Sequence, residues 1–560
     1  MPALNGSCMP KRRHEFRAER QAAAWEFPEK DFRPACRTMG ELWKQYKKFI
    51  ASHKGLLIFN AAAVLIVYGV CFISDTVFLD TDNMMVHQMS TLDWLSIGRW
   101  GSVVLQKLFH LSAFNPYFAL ALAYIFIVLF LETFSFFFYS VSGEKEYPFW
   151  IFCGLFISHP VFVYQWFFKL QNPEVAFSIF LIALSLILIF RWIRTDRKVF
   201  LVTGVLIMPV AFTTYEANYA LYLSGALAGF LLLKGIRRGK EAWTVCLKLA
   251  LTFLCGAAAG FGISRIFLNP TVNDAYATFL WTKAPAAQCL KNIGEYLKGV
   301  LLGVNQNCGK GYTFMLLAAA AAILFHLPRV KERIRETGAP LVIAFFLFLL
   351  SAFTMPILLG QASTYRNQYT LPFVLAAGLM ASAASFDQER QELMRGKAAG
   401  LLSKMPGLAG IAVLAFILAA GLQQTQTTMR LWYTDRVRYE QDCSMLDSIV
   451  SDMHQAGISE TNQKVIFYGT WEAPLNPACV TQTEFIGRSY FDSSSYKNEI
   501  SFSNQLYLFA VIRGYAFAAP GETEADEAGK EAASMPSWPE KGYIRQENGY
   551  VIVKLPSQSG

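Results

Sequence analysis

A helical bundle embedded in a membrane, with a small α/β domain after it, is the fold class that this 560-residue sequence predicts. Three observations lead there. Only 16% of the residues are charged against 54% hydrophobic, where soluble domains carry about 25% charged residues. The deficit is concentrated: Leu56 to Ser74, Tyr147 to Phe168 and Gly338 to Tyr365 contain no Asp, Glu, Lys or Arg, and roughly 20 such residues cross the hydrocarbon layer as a helix. Third, Lys and Arg fall in alternate loops, so the net charge of +9 is explained by membrane orientation and not by nucleic-acid binding.

Residues 1–50 form the first region. They are charged and lack an apolar h-region, so they predict a cytoplasmic basic segment ahead of an uncleaved signal-anchor. Within them Leu42, Trp43, Tyr46, Lys47 and Lys48 predict a short interfacial helix leading into the first span. Residues 51–429 form the second region, with eleven predicted spans at about 56–74, 114–139, 148–166, 173–190, 199–213, 217–233, 244–264, 311–327, 339–358, 368–386 and 406–428. With a cytoplasmic N-terminus, the inner loops hold 17 Lys and Arg in about 53 residues and the outer loops 9 in about 103, as the positive-inside rule requires. An odd number of spans predicts an extracytoplasmic region 430–560. That region holds 11 Lys and Arg against 17 Asp and Glu, the opposite balance to the membrane part. Leu446, Ile449, Val450 and Met453 predict an amphipathic helix ended by Gly457, Lys464–Thr470 and Tyr550–Leu555 predict strands, and 520–540 a solvated helix and linker.

Polar groups in a membrane are expensive without a role, so the outer loops are where chemistry is expected. The first outer loop carries Asp75, Asp80 and Asp82, then Gly98-Arg99-Trp100-Gly101, then a helical pattern at Val103, Val104, Lys107, Leu108 and Leu111 with Trp94 and Trp100 as anchors. Lys169 and Glu174 stand at the entry to the fourth span, Tyr215-Glu216 where spans five and six meet, and Tyr365-Arg366 ahead of the tenth. A lone outer Arg among aromatic residues suits a forked hold on phosphate. Glu132 and His159-Pro160 lie inside spans and read as a satisfied polar group and a kink. Cys289 with Cys308, and Cys443 with Cys479, fall outside, where disulfides can form. No zinc-ligand spacing occurs.

The span-one exit acids, Gly98-Arg99-Trp100, Tyr215-Glu216 and Tyr365-Arg366 together resemble the GtrII-type bacterial glucosyltransferases, polytopic enzymes of GT-C architecture, over about residues 56–424. The resemblance implies transfer of a hexose, glucose in this family, from a polyprenyl-phosphate donor to a cell-surface glycan on the outer face. Its implied partners are that donor, the glycan acceptor, the lipid bilayer, a flippase and a polyprenyl-phosphate sugar synthase. A carboxylate of the first outer loop is the implied base: Asp82, whose neighbour Asn83 best matches the family's adjacent pair, or Asp80. Arg366 with Tyr365, Arg99, Lys169, Glu174 and Glu216 are the implied substrate-binding groups. Whether a divalent cation, Mg or Mn, joins Asp80 and Asp82 stays open. The rival reading is a transporter or flippase of lipid-linked saccharide. It predicts paired repeats and broken helices at the bilayer midplane, and the sequence has no clear internal repeat.

Overall fold

The computed structural model describes residues 38–557 except 78–79, 89–90, 144, 237, 270–278, 306, 396–400 and 481–483. Most of the predicted basic segment, with Cys8 and Cys36, lies outside the described residues.

The short helix expected ahead of span one is present as Met39–Ser52. Thr38 starts it with a reciprocal cap: its hydroxyl accepts the Glu41 N–H at 3.2 Å, and the Glu41 carboxylate accepts the Thr38 N–H at 3.2 Å. At His53 the chain turns by 75° into Lys54–Tyr68. Phe49 is buried there against Phe136, Tyr139 and Phe149, and His53 Nε2 meets Glu146 at 2.7 Å.

All eleven apolar segments are helical, but they differ in reach. Pro116–Val141, Lys169–Thr195, Gly239–Phe267 and Lys404–Gln455 are long and apolar enough to cross a membrane, and four bent pairs raise the number to eight. Lys198–Thr214, Ala217–Leu232 and Ala339–Ser351 are apolar but shorter, below the roughly 20 residues of a full crossing. The eleven-span expectation treated every apolar run alike. In the third segment the helix breaks by 60° at His159-Pro160; His159 Nδ1 accepts the Val161 N–H at 3.2 Å and so caps the next turn. Glu132 accepts a hydrogen bond from Asn60 at 2.8 Å.

The loops sort to two ends. At one, Arg194 donates to the carbonyls of Ser140 and Val141, Lys248 meets Asp196 at 2.8 Å, and Arg329 meets Glu389 at 3.4 Å. These are the basic loops, and Gln45 and His53 of the N-terminal segment join them. The other end gathers the first long loop, 164–174, 214–218, 296–313 and 360–369, and the C-terminal domain covers it.

That domain is not joined by a linker. Leu401–Gln455 is one helix of 55 residues, so the expected boundary at 429/430 falls inside it. Thr428 donates to the Ser158 carbonyl at 2.9 Å and Trp432 to that of Val67 at 3.0 Å, while Leu446, Ile449, Val450 and Met453 enter the core of the domain. Gly457 takes φ +77 just past the helix end. The domain's sheet has the order β1-β3-β2, with β1 (Lys464–Tyr468) parallel to β3 (Tyr550–Lys554) and β2 (Ile544–Glu547) antiparallel to β3. Both expected strands are found; β2 is added by the Asn548-Gly549 turn, which holds φ +46 and +84. Ala525, Ala528 and Ala532 bury one face of the helix Glu522–Ala532 against the sheet, so 520–540 is only half solvated.

The four cysteines expected to pair are free. Cys289 packs under Gly360, Cys479 lies 3.7 Å from Asn476 Oδ1, and Cys443 is buried in the domain core. Position in sequence brought them to one end of the molecule without bringing their Cβ atoms together. Denaturation in alkylating reagent without reductant should therefore label all four thiols, as read by mass mapping; a Cys289–Cys308 or Cys443–Cys479 peptide would contradict this packing.

Candidate active site

The Gly98-Arg99-Trp100-Gly101 run turns the first loop from the helix Thr91–Ser96 into the helix Trp100–Leu108. Gly98 takes φ +82, which a side chain would resist, and its carbonyl accepts the Ser264 hydroxyl at 2.7 Å. Gly101 allows close approach: a Cβ there would lie 2.2 Å from the Val210 carbonyl oxygen. The Gly101 N–H donates to Thr213 Oγ1 at 3.1 Å. Between the two glycines, Arg99 is aimed at the turn joining the fifth and sixth apolar helices.

There it forks on to Glu216, Nε to Oε1 and Nη2 to Oε2, both at 2.9 Å. Its guanidinium also lies over the rings of Trp94 and Tyr215, 5.5 and 5.2 Å from their centroids. Glu216 is crowded by protein on most sides, yet 51% of its side chain is open to solvent, as expected of a group lining a cleft. Burial alone would raise its carboxyl, but the charge and hydrogen bonds of Arg99, with a smaller contribution from Arg366, hold it below the ordinary value. Tyr215 donates to Asn367 Oδ1 at 2.5 Å. This bond joins the turn to the single 3-10 turn Tyr365–Asn367.

Arg366 lies over the Phe168 ring at 4.2 Å. Among the described residues it has no carboxylate within ion-pair distance. Arg99, Glu216, Tyr365 and Arg366, four of the groups named from the sequence, are thus brought together around the Tyr215–Asn367 bond.

Lys169 and Glu174, expected to bind substrate, are interior groups in the structure. Lys169 is buried and its ammonium donates to the carbonyls of Ser74 and Thr76 at 3.0 and 2.6 Å; it pins the chain where it leaves the first span. Glu174 is fully buried facing Gln106, and neither its oxygens nor Gln106 Nε2 has a partner among the described residues.

Asp80 and Asp82 are two residues apart in opposite environments. Asp80 is exposed, in the left-handed region at φ +53, ahead of the helix Thr81–His87. Asp82 is 1% exposed. Its Oδ1 accepts the Asn83 N–H at 2.7 Å, and its Oδ2 accepts Tyr490 Oη at 3.2 Å and the Gln505 amide. Burial pushes its carboxyl up from 3.8 to about 6, against the Asn83 N–H bond, which lowers it. With both oxygens occupied, Asp82 has little left for a divalent cation. Among the described residues no group of three or more His, Cys, Asp or Glu could hold one. The described surroundings of Asp82 thus give no support to a cation shared with Asp80, a question that the sequence left open, and no step is derived through one.

The sequence reading missed Glu484, Tyr490 and Gln505. Glu484 Oε1 accepts the Tyr365 N–H at 2.5 Å from 119 positions away. Nothing local in the sequence marks that contact. Burial raises its carboxyl to about 7, against the Tyr365 N–H and the charges of Arg366 and Arg488.

Asp82 makes the stability depend on pH. Its folded value lies above its unfolded one, so the native state is favoured by protonation; stability falls as pH rises from about 4 to about 6 and stays lower above. The Asp82→Asn variant, fixed neutral, should fall less steeply over this window, where Asp442 and Glu484, also raised by burial, still titrate, and should gain up to roughly 3 kcal/mol near pH 7, less the Asn83 bond. Thermal unfolding in detergent from pH 4 to 8 checks it, and an equally steep fall in the variant would reject the assignment.

The model of the glucosyl transferase GtrII family matches residues 69–382, which include the acidic loop, Gly98-Arg99-Trp100, Tyr215-Glu216 and Tyr365-Arg366. No curated protein matches the chain, and no solved structure does. The match covers more than half of the sequence, and the chain belongs to the GtrII glucosyltransferases.

Proposed function

We propose that the protein moves glucose from a polyprenyl-phosphate donor to a hydroxyl of a cell-surface glycan, in a GT-C-like membrane domain whose C-terminal domain is extracytoplasmic and whose N-terminus is cytoplasmic. The observation that carries the reading is Arg366, a cation with no carboxylate within ion-pair distance among the described residues, near the satisfied Arg99–Glu216 pair, whose carboxylate is half open to solvent. A phosphate leaving group gains negative charge as the glycosidic bond breaks, and a preorganised cation stabilises that gain most strongly where water is scarce. Arg99 already has its counter-charge and serves better to fix the Tyr215-Glu216 turn.

For the base the geometry favours Asp80 over Asp82, reversing the order that adjacency to Asn83 gave. Asp80 is open to an incoming hydroxyl, whereas Asp82 is enclosed by the C-terminal domain. The acceptor O–H gives its proton to the Asp80 carboxylate as its oxygen bonds the anomeric carbon. The bond from that carbon to the phosphate oxygen breaks, and the phosphate leaves with the electron pair toward Arg366. Phe168-Lys169 links the two groups: Phe168 carries Arg366 on its face, and Lys169 holds Ser74 and Thr76, a few residues before Asp80.

Of the four bent helix pairs, those at His53, His326 and Phe386 break at the basic end, and the fourth breaks at the buried His159. Reconstituted protein should transfer labelled glucose from polyprenyl phosphate. Asp80→Asn should lower turnover by about 10²-fold or more with donor still bound, and Arg366→Lys, which loses the planar fork, should fall well below wild type. Near-normal turnover in both Asp80→Asn and Arg366→Ala would remove this mechanism.

A further inference from the structure

The C-terminal domain reaches the cleft by one segment. Residues before and after it are strapped to the far half of the 55-residue helix. Arg430 donates to the carbonyls of Ala478 and Cys479 at 3.0 and 2.6 Å, and Thr434 Oγ1 accepts the Val480 N–H at 2.8 Å. Further along, Arg438 donates to the Gly487 carbonyl at 2.8 Å, and Asp442 accepts from Ser489 Oγ at 2.5 Å and the Tyr490 N–H at 2.8 Å. From this strap Phe485 enters the bundle, its ring 5.7, 6.1 and 5.0 Å from those of Tyr164, Phe167 and Phe168. Beside it, Glu484 binds the Tyr365 N–H.

Both contacts converge on Arg366. Glu484 holds the backbone of the turn that carries Arg366, and Phe485 packs against Phe168, the ring on which the guanidinium rests. Five residues on, Tyr490 bonds Asp82 at 3.2 Å and the Val77 carbonyl at 2.7 Å, on either side of Asp80 in the chain. A single strap therefore holds the two regions between which the transfer is read to occur.

We propose that the C-terminal domain is part of the transfer apparatus, with Glu484 and Phe485 as positioning residues that fix Arg366 for the donor phosphate. This rests on the transferase reading above. The carboxylate acts as a hydrogen-bond acceptor for the Tyr365 N–H; Arg366 and Arg488 face it, and Glu216 and Tyr215 lie beyond. An amide oxygen at the same place would do the same work.

The test is a double-mutant cycle on the full chain in lipid vesicles. Glu484→Ala should lower kcat/KM for polyprenyl-phosphate glucose about tenfold, as misplacement of a catalytic group does, without lowering the thermal midpoint in detergent. Glu484→Gln should restore it to within about threefold of wild type. Combined with Arg366→Ala, Glu484→Ala should cost almost nothing further, because it acts through the group already lost. Full additivity in the cycle, an unchanged Glu484→Ala, or a Glu484→Gln as impaired as the alanine variant would each overturn the proposal. The same cycle is read on binding of polyprenyl phosphate alone. Wild-type protein that binds this lipid through Arg366 but transfers no glucose would refute the transferase reading, while the binding cycle would still decide the role of Glu484.

Discussion

A charge carried into the end of an apolar bundle is costly unless another group answers it, and this constraint shapes the site more than any other. Lys169 meets it with two backbone carbonyls, and in doing so fixes where the chain leaves the first span. Arg99 meets it with the forked carboxylate of Glu216 and two aromatic faces, which docks the first long loop on to the turn before Ala217. Asp82 meets it with donors from the C-terminal domain. Arg366 is the exception: among the described residues it rests on an aromatic face, with Glu216 and Glu484 near it but beyond ion-pair distance. With no carboxylate bonded to it among the described residues, this is the cation on which the proposed reading places the donor phosphate.

The bundle was legible because period and hydropathy are local properties. Each apolar run became a helix, and the helix Met39–Ser52 and the strands β1 and β3 followed from pattern alone. The count of crossings was less so, since length depends on where packing ends a helix, as at Ser351. In the site, Arg99, Glu216, Tyr365 and Arg366 were legible because each stands out as polar at an apolar boundary. Lys169 stood out equally, yet its partners are main-chain carbonyls, which no residue pattern reveals. Glu484 and Tyr490 are held to the bundle by contacts over 119 and 408 positions, and their own surroundings in sequence are ordinary. The cysteines show the same limit from the other side: shared topology is necessary for a bridge and says nothing of whether two Cβ atoms meet.

The long helix explains how a domain so distant in sequence is set so closely on the cleft. Its first half is bonded to the bundle at Ser158 and Val67, and its second half is the core helix of the domain. A helix of 55 residues without a break between these halves leaves little freedom for the domain to swing. Ala478, Cys479 and Val480 on one side and Gly487, Ser489 and Tyr490 on the other are fastened to that same helix, which sets where Glu484 and Phe485 meet the bundle.

Asp80 and Asp82 show how one loop can divide its acids between two tasks. They have the same side chain, and two residues separate them, but a left-handed residue followed by a helical turn sends one carboxylate to solvent and the other into the protein. Environment, not residue type, then sets what each can do. The buried acid is occupied by three donors and ties the loop to the C-terminal domain; the exposed carboxylate has no hydrogen-bond partner among the described residues. The loop is tied at Thr76 by Lys169, at Asp82 by Tyr490 and at Arg99 by Glu216. Asp80 lies between the first two of these ties and its carboxylate has no hydrogen-bond partner among the described residues; under the proposed reading it is therefore the acid left to take a proton from substrate.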